Sequence, residues 1–373
     1  MPTDPEPRIL LCIPSLRGGG AERQLCQLAP RLVERGLGVA LFSRFAGEEA
    51  ESLTAQGISC FPIAAAGNHD PRLVAELARA ARRARAQVIH TWLTQMDVIG
   101  GAVALATRRA WVLSERCSPE AYGGRAKDRA RAWLGRFADV VVANSEAGLA
   151  AWPGHPRRTV IANGVDFEAL RDSPAAVAAG RPLIVTAARL APQKRIEAVL
   201  RAVPRLRRDF PGMLLAILGD GPEAAALKAL AAELGVEGNV FFAGFRADSL
   251  AWITSASVFV SASRFEGQPN AVLEAAAAGT PQVLSDIPMH REAVGDGGAL
   301  FVDPGDAEAL AAAVAALLDQ PERARAMAAS ARSAVLHLSI GRAADLYAGL
   351  YRRAASGCPL LGTERGASWS SAA

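Results

Sequence analysis

Glu266 and Glu274 stand eight positions apart in the stretch Ser-Ala-Ser-Arg-Phe-Glu-Gly-Gln-Pro-Asn-Ala-Val-Leu-Glu, which begins at Ser261. A helix start falls between them. Pro269 suits a first helical position, where its missing N–H is no loss. Asn270 to Ala278 has helix-forming composition, and Gly279 with Pro281 stops it. Val258 to Ser261 reads as a buried strand running into a loop, which puts Glu266 in the loop and Glu274 one to two turns into the helix. Exposed N–H groups of the first turn would then lie between two carboxylates, a setting that binds anionic or hydroxylated ligands. One carboxylate could accept hydrogen bonds from sugar hydroxyls and the other from a ribose. An isolated pair at this spacing is more often an acidic loop residue and an exposed helical glutamate.

Other residues with chemical potential also follow strands. Ala187 to Arg195 is a loop with three cations, Arg189, Lys194 and Arg195, which is either solvated surface or an electrostatic cradle for a phosphate-bearing leaving group. Ser15-Leu-Arg-Gly-Gly-Gly20 has consecutive glycines, not the spaced pattern of a dinucleotide fingerprint. It is a flexible turn, or a place where a phosphate or an acceptor approaches the backbone above a helix N-terminus. Leu218-Gly-Asp-Gly-Pro-Glu223 is a strand end, a tight turn and a helix start, with Gly221 as structural or binding residue. Phe245-Arg246 ends another strand. In Val88-Ile-His-Thr-Trp92, His90 is a candidate for contact with a reacting sugar or else a core histidine, and Asp97 is a second candidate.

Short apolar strands alternate with helical stretches throughout, the pattern of parallel sheets with helices on both faces. In the first half strands are expected at 9–14, 39–43, 88–90, 110–114, 140–143 and 159–161, with a helix near 21–35. The rhythm restarts with strands at 183–187, 214–218, 240–242, 258–260 and 282–285 and helices near 196–210, 222–234 and 247–255. Asn163-Gly-Val-Asp166 is a turn signal followed by a stretch poor in large apolar residues. The chain therefore divides into domains at 1–165 and 166–338. Residues 339–355, with Leu346, Tyr347, Leu350 and Tyr351, form a last helix, and the Gly-, Ser- and Ala-rich tail 356–373 is expected to be disordered. Ligands of such sheets bind beyond the carboxyl ends of the strands, where all these motifs fall.

The segment carrying Glu266 and Glu274 closely resembles the E-x7-E signature of the retaining glycosyltransferases of family 4. The resemblance runs from about Ile9 to Tyr351. It implies an α/β chain of the GT-B fold, with two Rossmann-like doubly wound domains facing each other across a cleft and the last helix crossing back to the first. It also implies a retaining hexosyltransferase moving a sugar from a nucleotide-diphosphate sugar, UDP- or GDP-linked, to a glycan or polyprenyl-linked acceptor in cell-surface polysaccharide synthesis. Matching positions make Arg189, Lys194, Glu266 and His90 catalytic. Gly19, Gly20, Gly221, Arg246, Gly267, Gln268, Asn270, Ala271 and Glu274 bind the donor, and Asp97 stands on the acceptor side. Glu266 meets the donor sugar and Glu274 the ribose. Relatives carry a second histidine where this chain has Trp92, a departure that weakens the assignment of His90. No protein nucleophile is implied, since the leaving phosphate takes the acceptor proton. The chain has no DxD motif in the expected place, so no cofactor and no metal are expected. A sugar-nucleotide 2-epimerase of the same fold and a non-catalytic sugar-nucleotide-binding protein are the alternatives.

Composition bounds the rest. The 373 residues exceed one ordinary core, and 51% are hydrophobic. No apolar run reaches the roughly 20 residues of a membrane helix, and the start Met-Pro-Thr-Asp-Pro lacks the regions of a signal peptide. A cytoplasmic protein is expected, with a peripheral place at the inner face of the membrane open to it. Five scattered cysteines and five histidines have no metal-ligand spacing. From Arg79 to Arg136, twelve Lys or Arg against four acids leave +8, whereas the whole chain carries +4. That excess is either a set of solvated helix faces or a surface for an anionic membrane or a phosphate-bearing acceptor. The scarcity of aromatics among these charges argues against nucleic acid.

Overall fold

A computed structural model describes residues 6–16, 18–44, 48–63, 67, 70–173 and 180–357. It divides into two compact units, Met1–Gly164 with Ile340–Ala373, and Val165–Ser339. The expectation for the tail falls from residue 358 onward outside the described residues.

The first unit holds a seven-stranded, wholly parallel sheet built from β1 (Arg8–Cys12), β2 (Gly38–Ser43), β3 (Ser59–Pro62), β4 (Val88–Trp92), β5 (Ala110–Glu115), β6 (Val140–Ala143) and β7 (Arg158–Val160). Between them run α1 (Gly20–Val33), α2 (Glu48–Ala55), α3 (Arg72–Arg83), α4 (Leu93–Thr107), α5 (Ala126–Gly135) and α6 (Glu146–Leu149). The strand order is β3-β2-β1-β4-β5-β6-β7, so the winding reverses between β1 and β4.

The second unit repeats the plan with six parallel strands. These are β8 (Leu183–Ala187), β9 (Leu214–Leu218), β10 (Val240–Gly244), β11 (Val258–Ser261), β12 (Gln282–Ser285) and β13 (Leu300–Val302), in the order β10-β9-β8-β11-β12-β13. Its helices are α7 (Phe167–Arg171), α8 (Ile196–Asp209), α9 (Ala224–Glu233), α10 (Ser249–Ser255), α11 (Asn270–Ala278), α12 (Pro288–Val294), α13 (Ala307–Asp319) and α14 (Pro321–Val335). Here the reversal lies between β8 and β11. The last helix, α15 (Ile340–Ala355), belongs to the first unit.

Central strands are buried on both faces, as parallel sheets require, and the period of two sorts their side chains. On β4, Val88 and Trp92 join the core with α1 and α15, while Ile89 joins the other core with α3 and α4. The α15 face contributes Tyr347, Leu350 and Tyr351, all buried, to the first of these cores. In the second unit Ile184, Leu215, Ile217, Val258 and Val260 meet α8 and α13 residues such as Val199, Leu206, Leu310 and Val314. Two strands escape the sequence reading: β3, whose middle residues are only half-buried, and the three-residue β13. Short edge strands carry too few apolar positions to show a pattern.

Tyr351 is wholly buried and its hydroxyl donates to His90 Nδ1 at 2.6 Å. Replacing Tyr351 by Ala is expected to cost about 3–5 kcal/mol from cavity formation, and by Phe about 1–2 kcal/mol from the lost bond. Denaturant unfolding of the two variants checks both the size and the ranking.

Candidate active site

The loops after β8 and β11 flank the reversal point of the second sheet, where an open α/β sheet leaves a crevice between diverging connections. They are tied together. Lys194 Nζ lies 2.5 Å from Glu266 Oε1, and the Arg264 N–H donates to the Gln193 carbonyl at 2.8 Å. Ser263 Oγ donates to the same carboxylate oxygen at 2.7 Å. The side chains of Lys194 and Glu266 are 19% and 12% exposed, so the pair sits at the mouth of the crevice rather than in the core. Burial pushes the Glu266 carboxyl up, but the Lys194 cation and the bonds from Lys194 and Ser263 outweigh it and hold it below the usual range. Glu266 is therefore an acceptor of hydrogen bonds, not a proton donor, near neutral pH.

Arg189 stands five residues before Lys194 on the same loop. It is exposed and makes no hydrogen bond or ion pair among the described residues. Of the loop's three cations, Lys194 is engaged by Glu266 and Arg195 by Glu197 at 2.8 Å, which leaves the Arg189 guanidinium open to an anion.

The turn after β9 explains how that loop is held. Leu190 N–H donates to the Asp220 carbonyl at 2.9 Å, and Glu223 N–H donates to the Leu190 carbonyl at 3.1 Å. A side chain at Gly221 would begin 2.3 Å from the Leu190 oxygen, and one at Gly219, whose φ is 128°, 1.9 Å from the Ala188 oxygen. Gly221 accordingly supports the Arg189 loop by letting two backbones touch.

Helix α11 begins at Asn270, not at Pro269, which caps it instead. With ψ 88° Pro269 is still outside the helix, while its carbonyl accepts the first helical bond from Leu273 N–H. Gly279, at φ 73°, closes the helix in the left-handed conformation. Gly267, Gln268, Asn270 and Ala271 are half-buried around the helix start, and Glu274 is buried at 6% exposure one turn in. Arg246 lies after β10, two strands from β8, and its guanidinium forks onto Asp248 at 2.6 and 2.7 Å.

Ser263 and His290 were not singled out by spacing. His290, from α12, is buried beside Ser285, with Nδ1 2.9 Å from the Ser285 carbonyl. Burial lowers its pKa, partly offset by Glu266. It comes from a different strand connection, so no local pattern links it to Glu266.

In the first unit, Gly19 caps α1 in extended conformation and Gly20 opens the helix, both near the reversal between β1 and β4. His90 and Asp97 require correction. His90 is wholly buried, accepts from the Trp92 indole N–H at 3.3 Å and from Tyr351, and has Nε2 3.2 Å from Ser114 Oγ. Its side chain faces the α1–α15 core, among Trp92, Tyr347 and Tyr351, the setting of a core histidine. Burial, and secondarily Arg116, depresses its pKa well below 6.5. Asp97 is also wholly buried, accepting from Thr91 Oγ1 at 2.7 Å and from Arg131 Nε at 2.6 Å. Arg131 reaches Glu115 as well, at 2.8 Å, and its guanidinium lies near the rings of Tyr122 and Trp152. Burial lifts the Asp97 carboxyl to about 6 against the pull of Arg131. Asp97 is thus a structural anchor between α4 and α5, not an acceptor-side group.

Two parallel sheets, each reversing its winding at a central strand and lined there by glycine turns and charges, define an α/β protein of doubly wound type. Comparison with known proteins narrows the class. The family model described as Glycosyltransferase Family 4 matches residues 18–169, and that described as Glycosyl transferases group 1 matches 170–334. The chain belongs to the family 4-type glycosyltransferases and has the GT-B fold. The Anabaena protein HepE, crystallised with UDP-glucose, superposes with a TM-score of 0.81 at 22% identity over 92% of this chain and 99% of that one. Sucrose-phosphate synthase of Thermosynechococcus elongatus gives 0.77 at 21% identity, covering 94% and 100%. In sequence, the chain is 38% identical over 162 residues to the GDP-mannose-dependent alpha-(1-6)-phosphatidylinositol monomannoside mannosyltransferase of Mycolicibacterium smegmatis, covering 41% of this chain and 42% of that one. It is 39% identical over 138 residues to the lipopolysaccharide core biosynthesis glycosyltransferase LpsE of Rhizobium meliloti, covering 36% and 39%. The matches thus span about two fifths of these curated relatives.

Gly221→Ala should lower stability by about 2 kcal/mol through displacement of the Leu190 carbonyl, and an unchanged melting temperature would refute the packing role. His90, neutral in the fold but protonated once unfolded, makes stability fall as pH drops below 6.5. His90→Gln should therefore show a smaller loss of melting temperature between pH 7.5 and pH 5 than the parent chain.

Proposed function

We propose that the chain transfers a hexose, with retention of anomeric configuration, from a UDP- or GDP-linked sugar to a glycan or lipid-linked acceptor. The observation that carries this reading is the Lys194–Glu266 pair at the reversal point of the second sheet, with Arg189 on the same loop unpaired among the described residues. Its support from relatives is twofold: HepE was crystallised with UDP-glucose, and the Mycolicibacterium smegmatis relative is named as a GDP-mannose-dependent phosphatidylinositol monomannoside mannosyltransferase.

The chemistry follows from the charges. As the glycosidic bond to the diphosphate breaks, negative charge grows on the leaving phosphate. Arg189 and Lys194 are positioned to meet it, the second after exchanging part of its contact with Glu266 for the phosphate. Glu266, kept ionised by Lys194 and Ser263, accepts from hydroxyls of the donor sugar and fixes its orientation. Glu274, one turn into α11, accepts from the ribose, with the first N–H groups of that helix beside the diphosphate. The leaving phosphate takes the proton of the attacking hydroxyl on the same face of the sugar, which requires no side-chain base. Because fixed cations supply the electrostatic stabilisation, turnover does not depend on a divalent metal.

Lys194→Ala should reduce the turnover number on the order of 10²–10³-fold, the effect of removing one preorganised partner of developing charge. Glu274→Ala should instead raise the KM for donor, with a smaller change in turnover. A transfer assay with the nucleotide-sugar and a membrane extract as acceptor source, run with and without a chelator, measures both. Unchanged turnover in Lys194→Ala would exclude the proposed role of the cation, and full inhibition by chelator would exclude metal independence.

A further inference from the structure

Arg129 and Trp133 stand one turn apart on α5, with Arg125 at its N-cap and Phe137 just past its C-cap. Trp133 and Phe137 are 56% and 49% exposed, and their rings meet edge-on with centroids 5.5 Å apart. Lys127 and Arg136 are exposed as well. The one acid of the helix, Asp128, is turned inward, buried against the Arg125 side chain at 3.1 Å. Arg131, counted with the basic stretch in the sequence, is no part of this surface. It is the buried anchor to Asp97 and Glu115 on the opposite side of the helix.

The neighbouring helices continue the same character. Helices α3, α4 and α5 cover one face of the first sheet. Val74 on α3 and Leu105 on α4 are 45% and 40% exposed. Among the described residues of the first unit, the large apolar side chains left open to water are these four and Leu346 on α15. A tryptophan and a phenylalanine rimmed by cations, without exposed acids on the same helix, match a surface that is apolar below and negative above. Aromatic rings settle at the headgroup level of a bilayer, and arginine and lysine stems extend their charges to lipid phosphates. No helix among the described residues is long and apolar enough to cross a membrane.

We propose that α5 docks the first unit onto the headgroup layer of an anionic bilayer. Trp133 and Phe137 seat at the acyl boundary, and Arg125, Lys127, Arg129 and Arg136 lie against lipid phosphates. The inference deepens the lipid-linked-acceptor reading and rests on it for its purpose, since docking of this kind brings the enzyme to an acceptor held in a bilayer.

The test is flotation of the full chain with vesicles of phosphatidylcholine alone and of phosphatidylcholine mixed with phosphatidylglycerol. The protein should float with the mixed vesicles and not with the neutral ones, and added salt should release it. Trp133→Ala with Phe137→Ala, and separately Lys127→Gln with Arg129→Gln and Arg136→Gln, should each weaken partition by about tenfold or more. All these side chains are exposed, so both variants should keep the parent melting temperature and the parent stabilisation by donor. Equal flotation of parent and variants, or no flotation of the parent, would overturn the proposal. So would a parent dimer in sedimentation that the aromatic double substitution converts to monomer without any vesicle binding, since the face would then belong to a second copy of the chain. Loss of donor stabilisation in a parent that still floats would strike the catalytic reading and leave the docking surface standing.

Discussion

The ion pair between Lys194 and Glu266 fixes the geometry on which the second unit's chemistry depends. Neither residue lies on a strand; each sits in a connection after a central strand, and the contact between them, with Ser263 beneath and the Arg264 N–H bonded to the Gln193 carbonyl, joins the two loops. The constraint begins in topology. A parallel sheet whose winding reverses between β8 and β11 sends its two central connections to opposite faces, so their first residues part above the strand ends. Charges placed there are close enough to pair and open enough to exchange partners. A fully buried pair would be locked by the cost of separating it, and a fully exposed one would not be held in register.

The first unit uses its polar residues differently. His90, Asp97, Glu115 and Arg131 are all buried and joined by hydrogen bonds to neighbours on adjacent elements. They hold α4, α5 and α15 against the sheet. Arg116 continues the pattern, with its guanidinium 3.5 Å from the centre of the Trp92 ring while bonding Asn163 and the Tyr347 hydroxyl. Titratable groups in this unit therefore tune stability with pH, and what it offers to solvent is the basic and aromatic outer surface of its helices.

This division explains what could be read from the chain alone. Alternating buried strands and helices are a strong signal, and the central strands stand within a residue or two of where periodicity placed them. The loop and helix start from Ser261 to Ala278 were legible because composition, proline and glycine all punctuate the same place. Pro269 stands one position before the first helical residue, where its ψ of 88° keeps it outside the helix. The sequence leaves His90 open between a sugar contact and a core histidine, because a histidine at a strand end looks the same whether it points to solvent or to the core. The distinction rests on which face of β4 it takes and on Tyr351, 261 residues away. Asp97 likewise meets its cation 34 residues on. Ser263 and His290 were invisible because their relation to Glu266 is spatial.

In the mechanism proposed above, Arg189 and Lys194 form the seat of a diphosphate. Calorimetric titration of UDP and of GDP into the parent chain and into Arg189→Ala and Lys194→Ala tests it most directly. One of the two nucleotides should bind the parent, and each substitution should weaken that binding by about tenfold or more, the worth of a charge-assisted hydrogen bond. The uncharged nucleoside should bind poorly to all three. Equal diphosphate affinity in the parent and both variants would contradict the claim.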